Sequence, residues 1–287
     1  MPELPEVEVV KQSLKKYILN KNLSKIIVKN KKLRFPIPKN ISKKLANLKV
    51  ITVKRKSKYL VIEFQKNLFL IIHLGMSGTL HLVNKNNKFQ NTNLSFYYSK
   101  NLPPKHNHIY FYFKNLKIIF NDPRRFGFIK LIKGKISLNN YFIKLGPDPF
   151  ENNFSFNYIK KYLFKKNKNI KNMLIDQKFI SGIGNIYASE ILNYAKISPL
   201  KLSCEINDIE INKIIFFTKK VLKRSIKIGG TSINNFLSIK GNKGSYQKEF
   251  RVYDRENEKC KNKLCSGKIL KINMSNRSTY LCNNCQK

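Results

Sequence analysis

The sequence predicts an α+β chain of several domains, and three observations support this fold class. Short β-branched and aromatic runs recur between residues 23 and 132, apolar residues then return to helical spacing, and four cysteines cluster near the end of the sequence. The first pattern is typical of a β-sandwich or barrel, and the second of packed helices. With 287 residues, the chain is long enough for two domains or more.

A helix is predicted directly after Pro5. Val7, Val10 and Leu14 recur at the spacing of one face of a helix, and Tyr17 continues the series. This amphipathic helix would flank the sheet domain and hold the N-terminus of the chain on a rigid element.

The N-terminus itself offers a candidate nucleophile. Loss of Met1 would turn the nitrogen of Pro2 into a free secondary amine, which can attack an aldehyde-like carbon and form an iminium. Glu3 stands beside it and could move the proton. A proline at position 2 also simply permits removal of Met1, so these residues alone leave both interpretations open.

Seven strands are predicted in the first part of the chain, which we assign to a β-sandwich domain over residues 1–134. Prolines and glycines separate them at the spacing typical of an all-β sandwich or barrel. The runs are 25–28, 50–53, 59–64, 68–73, 108–113, 117–120 and 128–131.

Helices are predicted beyond a linker at residues 135–152, in a domain that we place at 153–240. Gly182 and Gly184 precede the third of them, and Asn185 could cap it, so this turn is a candidate phosphate site. A plain turn and cap explains the same residues equally well. The candidate helices are 156–164, 168–174, 185–195, 209–228 and 231–237.

Residues 241–287 form the last predicted domain, and its cysteines predict a zinc site. They follow the order C-x4-C-x16-C-x2-C, which resembles a four-thiolate finger with a hairpin over residues 269–280. An element of this size has no core of its own, so one structural zinc ion would stabilise it. Four unligated cysteines in a loop are the alternative. Cys204 stands apart, and no organic cofactor is expected. The ligands would be Cys260, Cys265, Cys282 and Cys285.

The charge balance predicts a polyanionic partner. Lysine and arginine number 57 against 16 acidic residues, a formal net charge of +41, and such a surface attracts nucleic acid. The chain is also rich in Lys, Asn and Ile, so codon bias in an AT-rich genome is an alternative source of the charge. No apolar run approaches the roughly 18–20 residues of a membrane span, and no signal peptide is evident. A cytoplasmic protein without membrane contact is therefore expected.

Three short motifs are candidates for DNA contact. Residues 54–58 form a basic run that ends at Lys58, and residues 73–78 leave a strand through two glycines. Residues 122–127 place two arginines beside an aromatic ring, as a wedge into stacked bases requires. Each has a structural alternative: a solvated strand edge, a packed core histidine, or an exposed ion pair beside a buried Phe126.

Taken in order, these segments resemble bacterial formamidopyrimidine-DNA glycosylases. The resemblance implies a β-sandwich with flanking helices, a helix-two-turn-helix domain and a zinc-finger hairpin. It also implies a monomeric bacterial repair enzyme that acts on double-stranded DNA, excises oxidised purines and then nicks the backbone by β,δ-elimination. The likeness runs from Pro2 to Gln286 and rests on Pro-Glu-Leu-Pro-Glu at the N-terminus, Lys58-Tyr59, residues 73–78, 122–127 and 184–190, and the cysteine finger.

The resemblance also implies a role for each matching residue. Pro2 attacks C1′ of the damaged nucleotide, Glu3 assists opening of the sugar ring, and Lys58 donates a proton near the lesion. Arg277 grips the phosphates of the flipped nucleotide and serves the second elimination. The space that the base leaves is filled by Met76, Arg124 and Phe126, with Arg124 facing the orphaned cytosine. The remaining implied DNA contacts are His73, His106, Lys166, Lys171 and Asn185.

The sequence departs from the family pattern in two places, and two other functions are alternatives to this interpretation. The first cysteine pair is spaced C-x4-C where the family usually has C-x2-C, and residues 241–246 occupy a variable loop over the extruded base. An endonuclease VIII-type enzyme for oxidised pyrimidines shares the Pro2 chemistry, but Leu4 and the wedge of Arg124 and Phe126 favour the purine type. A non-catalytic zinc protein that binds nucleic acid would fit the charge and the finger equally well.

Overall fold

The β-branched and aromatic runs form antiparallel strands, and the computed structural model describes residues 1–84, 89–90, 103–231 and 245–287. All seven predicted strands are confirmed. Two further strands, at residues 79–84 and 89–90, were not predicted. Strands β1 to β9 are Leu23–Val28, Val50–Lys56, Tyr59–Phe64, Leu68–His73, Thr79–Asn84, Phe89–Gln90, Asn107–Phe113, Leu116–Asn121 and Phe128–Lys133.

These strands build a β-sandwich. One sheet has the order β1-β7-β8-β5-β6 and the other the order β2-β3-β4-β9. Alternate residues of both sheets, such as Ile62 on β3 and Phe111 on β7, belong to one buried cluster, so the sheets pack face to face. Leu14 belongs to the same cluster and lies on helix α1, Leu4–Ile18, which is the predicted amphipathic helix. Helix α2, Ile41–Leu45, adds Ile41 and Leu45.

Helices dominate the middle of the chain. Four predicted helices are confirmed within a residue or two, and the fifth, at 231–237, lies outside the described residues except for Thr231. One helix was not predicted, because it lies inside the segment interpreted as a linker at 135–152. Helices α3 to α7 are Lys135–Phe142, Phe156–Leu163, Ile170–Leu174, Asn185–Ala195 and Asp208–Lys227.

The predicted hairpin between the cysteine pairs is also present. Strands β10, Ile269–Met274, and β11, Arg277–Cys282, pair antiparallel from Ile269 opposite Cys282 to Met274 opposite Arg277. Ser275 and Asn276 form the two-residue turn with φ values of 49° and 59°. Positive φ at both turn residues suits the right-handed twist of a tight hairpin.

The contacts divide the chain into two compact units. The first comprises residues 1–143 and 226–247, and the second comprises residues 144–225 and 248–287. The sandwich therefore lies in the first unit, while helices α4 to α6 and the finger lie in the second. Among the described residues, no helix is both long and apolar enough to cross a membrane.

Candidate active site and nucleic-acid interface

Pro2 and Glu3 lie at the start of helix α1, and both are buried. Glu3 immediately precedes the helix, and its backbone N–H donates to Glu6 Oε2 at 2.9 Å. Because Glu6 lies in the first helical turn, this bond satisfies one of the N–H groups that a helix start leaves unpaired. The backbone next to Pro2 is therefore held in one position.

The second oxygen of Glu6 binds a distant part of the chain. Oε1 accepts the backbone N–H of Thr231 at 2.8 Å and the Thr231 hydroxyl at 3.0 Å. Gly230, with φ +80°, lies so close that a Cβ would stand 3.0 Å from the same oxygen. The buried carboxylate of Glu6 thus links the start of helix α1, which follows Pro2, to residues 230–231.

Lys58 occupies the two-residue turn between β2 and β3, and its exposed fraction is only 6%. The preceding Ser57 has φ +55°, an uncommon conformation for a non-glycine residue. Arg55 supports this turn, because one of its terminal nitrogens donates to the Ser57 carbonyl at 2.9 Å. Its Nε donates to Glu8 Oε2 on α1 at 3.0 Å. The helix that carries Pro2 is therefore tied to the turn that carries Lys58.

The Glu8 carboxylate is charged despite its partial burial. Burial alone would raise its pKa, but the hydrogen bonds and positive charges of Lys11 and Arg55 outweigh that effect and lower the pKa. Glu8 and Arg55 thus form a charge-assisted link between α1 and β2.

His73 ends β4 inside an aromatic cluster. Its ring stacks on Phe128 at 5.2 Å and meets Tyr59 at 4.9 Å, while Nδ1 accepts the backbone N–H of Gly75 at 3.1 Å. Burial, followed by the charges of Lys58 and Arg34, lowers the pKa of His73 to about 4. The ring is therefore neutral at pH 7, and since Nδ1 accepts, the proton lies on Nε2.

Met76 and Phe126 are exposed at 43% each, on two turns that lie against each other. We call residues 74–78 the glycine turn and residues 122–127 the wedge loop. A Cβ on Gly75 would stand 2.4 Å from the backbone nitrogen of Gly127, so the two backbones touch. The Arg124 guanidinium lies 4.8 Å from the centre of the Phe126 ring.

A buried carboxylate joins the glycine turn to the wedge loop. Asp122 Oδ1 accepts a short hydrogen bond from the Ser77 hydroxyl, and Oδ2 accepts the Gly127 N–H at 2.7 Å. The Ser77 oxygen in turn accepts the backbone N–H of Arg124 at 3.2 Å. Asp122 also donates its own N–H to the His106 carbonyl at 3.0 Å, which brings this predicted phosphate contact to the same loop.

In the second unit, predicted phosphate contacts lie against the finger. Lys171 on α5 is fully buried, and its Nζ donates to Thr279 Oγ1 at 2.9 Å, so its ammonium faces β11 rather than solvent. Asn185 Nδ2 donates to the Ser278 carbonyl at 2.8 Å. Lys166 is exposed and lies 5.9 Å from the centre of the Tyr162 ring.

The expected cap at Asn185 is wrong by one residue. Gly184 occupies the N-cap position of α6, and Asn185 is the first helical residue, with its side chain turned to β11 instead of the helix backbone. Further along α6, the buried Glu190 accepts the backbone N–H groups of Arg251, Val252 and Tyr253 at 2.9 to 3.0 Å. Burial raises the pKa of Glu190, and these hydrogen bonds oppose the rise.

Arg277 is exposed at the first position of β11, directly after the hairpin turn. The residues around it are held by helices of the same unit. Asn172 Nδ2 donates to Ser275 Oγ at 3.2 Å, and the bonds to Ser278 and Thr279 follow on the other side. The guanidinium thus projects from a backbone that is fixed on both sides of Arg277.

The four predicted zinc ligands converge on one point. The Sγ atoms of Cys260 and Cys285 are 3.7 Å apart, those of Cys265 and Cys282 are 3.6 Å apart, and all four lie within 4.8 Å of one another. A tetrahedral zinc ion with Zn–S bonds of about 2.3 Å separates its sulfurs by about 3.8 Å. The thiol geometry therefore fits one zinc ion.

Both cysteine pairs share the same supporting contact. The backbone N–H of Asn262 donates to Cys260 Sγ at 3.4 Å, and that of Asn284 donates to Cys282 Sγ at 3.5 Å. Such outer hydrogen bonds orient thiolate ligands. The two extra residues of the C-x4-C loop bulge outward, with Leu264 fully exposed at φ +62°, so the longer spacing leaves the thiol cluster intact.

The carboxylates that support the predicted site were not predicted from the sequence. Glu6, Glu8 and Asp122 each bind groups that are far away in the chain or adjacent to a predicted functional residue. The one sequence signal that could have indicated these carboxylates is that acidic residues are scarce, since only 16 residues of this strongly basic chain are acidic. Buried acids are rarely unpaired.

Three family models match the chain in order. Residues 1–129 match the formamidopyrimidine-DNA glycosylase N-terminal domain, residues 145–237 match the formamidopyrimidine-DNA glycosylase H2TH domain, and residues 257–287 match a zinc finger found in FPG and IleRS. Together with the thiol cluster, these matches define a DNA glycosylase that carries a zinc finger.

Full-length relatives narrow this class. A formamidopyrimidine-DNA glycosylase of Rickettsia bellii (strain OSU 85-389) is 37% identical over 288 residues, and one of Wolbachia pipientis subsp. Culex pipiens (strain wPip) is 39% identical over 287 residues. Both alignments cover 100% of each chain. The chain therefore belongs to the formamidopyrimidine-DNA glycosylase family of DNA-repair enzymes, which confirms the predicted resemblance.

Solved structures of the family share the fold. A Lactococcus lactis FPG mutant in complex with a Fapy-dG-containing DNA is 30% identical, with a TM-score of 0.87 and 100% of both chains covered. MutM in complex with DNA that contains carbocyclic 8-oxo-G is 31% identical, with a TM-score of 0.86. The predicted α+β architecture is confirmed by this likeness and by the sheets and helices described above.

Proposed function

We propose that this enzyme binds double-stranded DNA that contains a damaged base, removes oxidised purines such as 8-oxoguanine and formamidopyrimidines, and then cleaves the strand as a lyase. The observation that carries the proposal is Pro2, a potential secondary amine, next to the buried carboxylate of Glu3 at the start of α1. A family relationship over the full chain supports the same activity. A cytoplasmic location on chromosomal DNA follows from such a substrate.

The proposed chemistry begins after Met1 is removed. The Pro2 nitrogen attacks C1′ of the damaged nucleotide and displaces the base, while Glu3 protonates the ring oxygen so that the sugar opens. The resulting iminium makes the hydrogens on C2′ acidic. Loss of one such proton expels the 3′ phosphate, and a second elimination expels the 5′ phosphate.

The other site residues have proposed roles in binding and proton transfer. Lys58 is nearly buried and provides the proton donor near the lesion, and Arg277 binds the phosphates of the flipped nucleotide. Extruding a base from a duplex costs a few kcal/mol. Met76, Arg124 and Phe126 offset part of that cost by filling the gap, and their exposure in two joined turns supports this role.

The second candidate function is excision of oxidised pyrimidines through the same amine. Leu4, together with the guanidinium of Arg124 held over the Phe126 ring, favours the purine substrate. A planar guanidinium with a fixed fork of donors suits the edge of an unpaired cytosine, the normal partner of 8-oxoguanine.

Borohydride trapping tests the proposed mechanism. The protein with Pro2 as its first residue should become covalently attached to DNA when borohydride reduces the iminium, and a matched preparation that retains Met1 should not. Efficient trapping by the Met1-retaining protein would contradict the role of Pro2. No trapping by either preparation would remove the lyase and leave a DNA-binding protein.

Substrate preference is measured in the same trapping experiment. Duplexes with 8-oxoguanine opposite each normal base should be trapped and nicked, and a duplex with thymine glycol should react more slowly. The reverse order would establish the pyrimidine-directed alternative. Glu3→Gln should lose base excision while it retains cleavage of abasic DNA, because that substrate has already lost its base.

A further inference from the structure

Eight of the 57 basic residues are arginines, and their contacts divide them into two groups. Four have a strong partner within their own unit, with Arg55 bound to Glu8, Arg224 to Glu249, Arg255 to Glu258, and Arg251 to Asn262. The other four are exposed, and none forms an ion pair with a carboxylate of the described residues. These are Arg34, Arg124, Arg125 and Arg277.

Two members of the second group, Arg124 and Arg277, already have proposed roles in DNA binding, and Arg125 adjoins Arg124. Arg124 and Arg125 lie in the wedge loop, and Arg277 follows the finger turn. An arginine without a carboxylate partner keeps all its donors for an external anion, and its planar fork matches a phosphate. Arg34 has the same free guanidinium but has no role in the mechanism described above.

The backbone places Arg34 beside the wedge loop. Its N–H donates to the carbonyl of Gly127, the last residue of that loop, at 3.2 Å. A second bond, from the Leu33 N–H to the Phe35 carbonyl at 3.2 Å, closes a tight turn around Arg34. The position of the Arg34 backbone is therefore coupled to the loop that carries Arg124 and Phe126.

An exposed aromatic ring supports the guanidinium. The Phe35 side chain is 51% exposed, and the Arg34 guanidinium lies 5.6 Å from its ring centre. The same ring packs edge to face on Phe128 at 5.2 Å, which anchors it to the cluster around His73. The positive charge of Arg34 also contributes to the lowered pKa of His73, as does that of Lys58.

We propose that Arg34 binds a backbone phosphate of the DNA duplex and that Phe35 orients its guanidinium, which extends the interface beyond the wedge loop. This inference rests on the proposed DNA-binding function. The contact is independent of base sequence, because a phosphate is present at every nucleotide. It would therefore contribute to binding of damaged and undamaged duplexes alike.

Binding measured against salt concentration tests the role of Arg34. Fluorescence anisotropy with a duplex that carries a stable abasic analogue should show about ten-fold weaker binding for Arg34→Ala near 0.1 M salt, since a hydrogen bond to a charged group is lost. The slope of log K against log salt should fall by about 0.9, the value for one phosphate contact. Arg34→Lys should keep the slope and lose part of the affinity, because it retains the charge without the fork.

Lys44→Ala provides the matched control. Lys44 is an exposed cation of the same unit on helix α2, so its removal changes the net charge by the same amount. The Lys44→Ala protein should bind the duplex with an affinity and a salt slope close to those of the unaltered protein. Equal effects of Arg34→Ala and Lys44→Ala would overturn the inference, because only the overall field would then matter. Failure of the unaltered protein to bind the duplex would instead overturn the proposed function.

Discussion

Asp122 is the residue that joins the two turns proposed to replace an extruded base. Each of its carboxylate oxygens accepts a hydrogen bond, one from Ser77 and one from Gly127, and the residue is fully buried. Ser77 is 45 positions away from Asp122 in the chain and Gly127 is 5 positions away, so neither hydrogen bond belongs to a regular helix or strand. A single side chain therefore supplies two of the hydrogen bonds that hold the turn of Met76 against the loop of Phe126.

We expect Asp122→Asn to destabilise the protein and to disturb base excision selectively. An asparagine offers one acceptor where the site needs two, and its NH2 group would face a donor. Leaving a buried donor unsatisfied costs about 1–3 kcal/mol. Urea unfolding should show a loss of that size, and excision of 8-oxoguanine from duplex should fall further than cleavage of abasic DNA.

Asp208→Asn is the control for this prediction. Asp208 pairs with Lys160 at the surface, where both side chains are more than half exposed. Such pairs contribute little to stability. If Asp122→Asn behaves like Asp208→Asn in both unfolding and excision, the buried carboxylate does not organise the wedge.

At the scale of single residues, the sequence predicts reactive groups better than the groups that position them. Pro2 and the four finger cysteines could be proposed from residue type and spacing, and Lys58 from the family resemblance. Glu6 could not, because its partner Thr231 is 225 positions away in the chain. The buried position of Lys171 was equally inaccessible, because a lysine in a basic segment is usually a solvated one.

Among the secondary-structure elements, helix α1 and the hairpin of strands β2 and β3 are linked, and together they position Pro2 and Lys58. The link between them is the pair of Glu8 and Arg55, and Arg55 also holds the carbonyl of Ser57, which precedes Lys58. The side chains of this pair are 14% and 8% exposed, so solvent screens them little. The proposed amine and the proposed proton donor are thus held by connected elements.

We expect Arg55→Ala to slow covalent capture of abasic DNA by about ten-fold, because the turn that carries Lys58 loses its support. Arg55→Lys should be intermediate. Single-turnover borohydride trapping measures the rate. Lys201→Ala serves as the control, because it breaks a comparable pair with Glu210 in the other unit. Equal rates for the Arg55 and Lys201 variants would show that the pair is only structural.

The finger hairpin yields a prediction about metal content. Purified protein should contain about one zinc ion per chain, and Cys265→Ala should release the metal and weaken DNA binding, since Arg277 loses its fixed backbone. Elemental analysis and anisotropy report the two effects. Cys204→Ala should change neither, because Cys204 is exposed and separate from the cluster. Full DNA binding by a metal-free preparation would contradict the structural role of zinc.

Elements with a strong hydrophobic period were the ones that the sequence predicted correctly. Strand β5, Thr79–Asn84, was missed because it begins directly after the glycines of the 74–78 turn, which indicated a loop. Helix α3 was missed because it lies in the segment interpreted as a linker and its apolar residues, Leu138, Tyr141 and Phe142, are too few and only partly buried. The effect of the C-x4-C spacing on the zinc site could not be predicted from the sequence. Only the structure shows that the loop bulges outward and that the four thiols still lie together.

Over the whole molecule, like charges repel. With a net charge of +41, the folded chain confines positive groups that separate on unfolding. Added salt screens this repulsion, so the melting temperature should rise between 50 and 500 mM NaCl. A gain of about 1 kcal/mol corresponds to roughly 2–4 °C for a chain of this size. DNA affinity should fall over the same range.

Differential scanning fluorimetry of the free protein measures this effect. Sucrose at matched osmolality separates screening from the general stabilisation that excluded solutes produce. A melting temperature that falls as NaCl is added would mean that the ion pairs, such as that of Glu8 and Arg55, contribute more than the repulsion among unpaired lysines.

The course of the chain through the two units limits how the protein can be divided. Each unit consists of two separate stretches, so the backbone passes from one to the other at three points. A fragment of residues 1–143 would contain Pro2, Glu3 and Lys58 but would lack Thr231, and Glu6 would keep a buried oxygen without those donors. A minimal catalytic fragment therefore has to include residues 226–247, joined through a designed linker, and simple truncation cannot produce it.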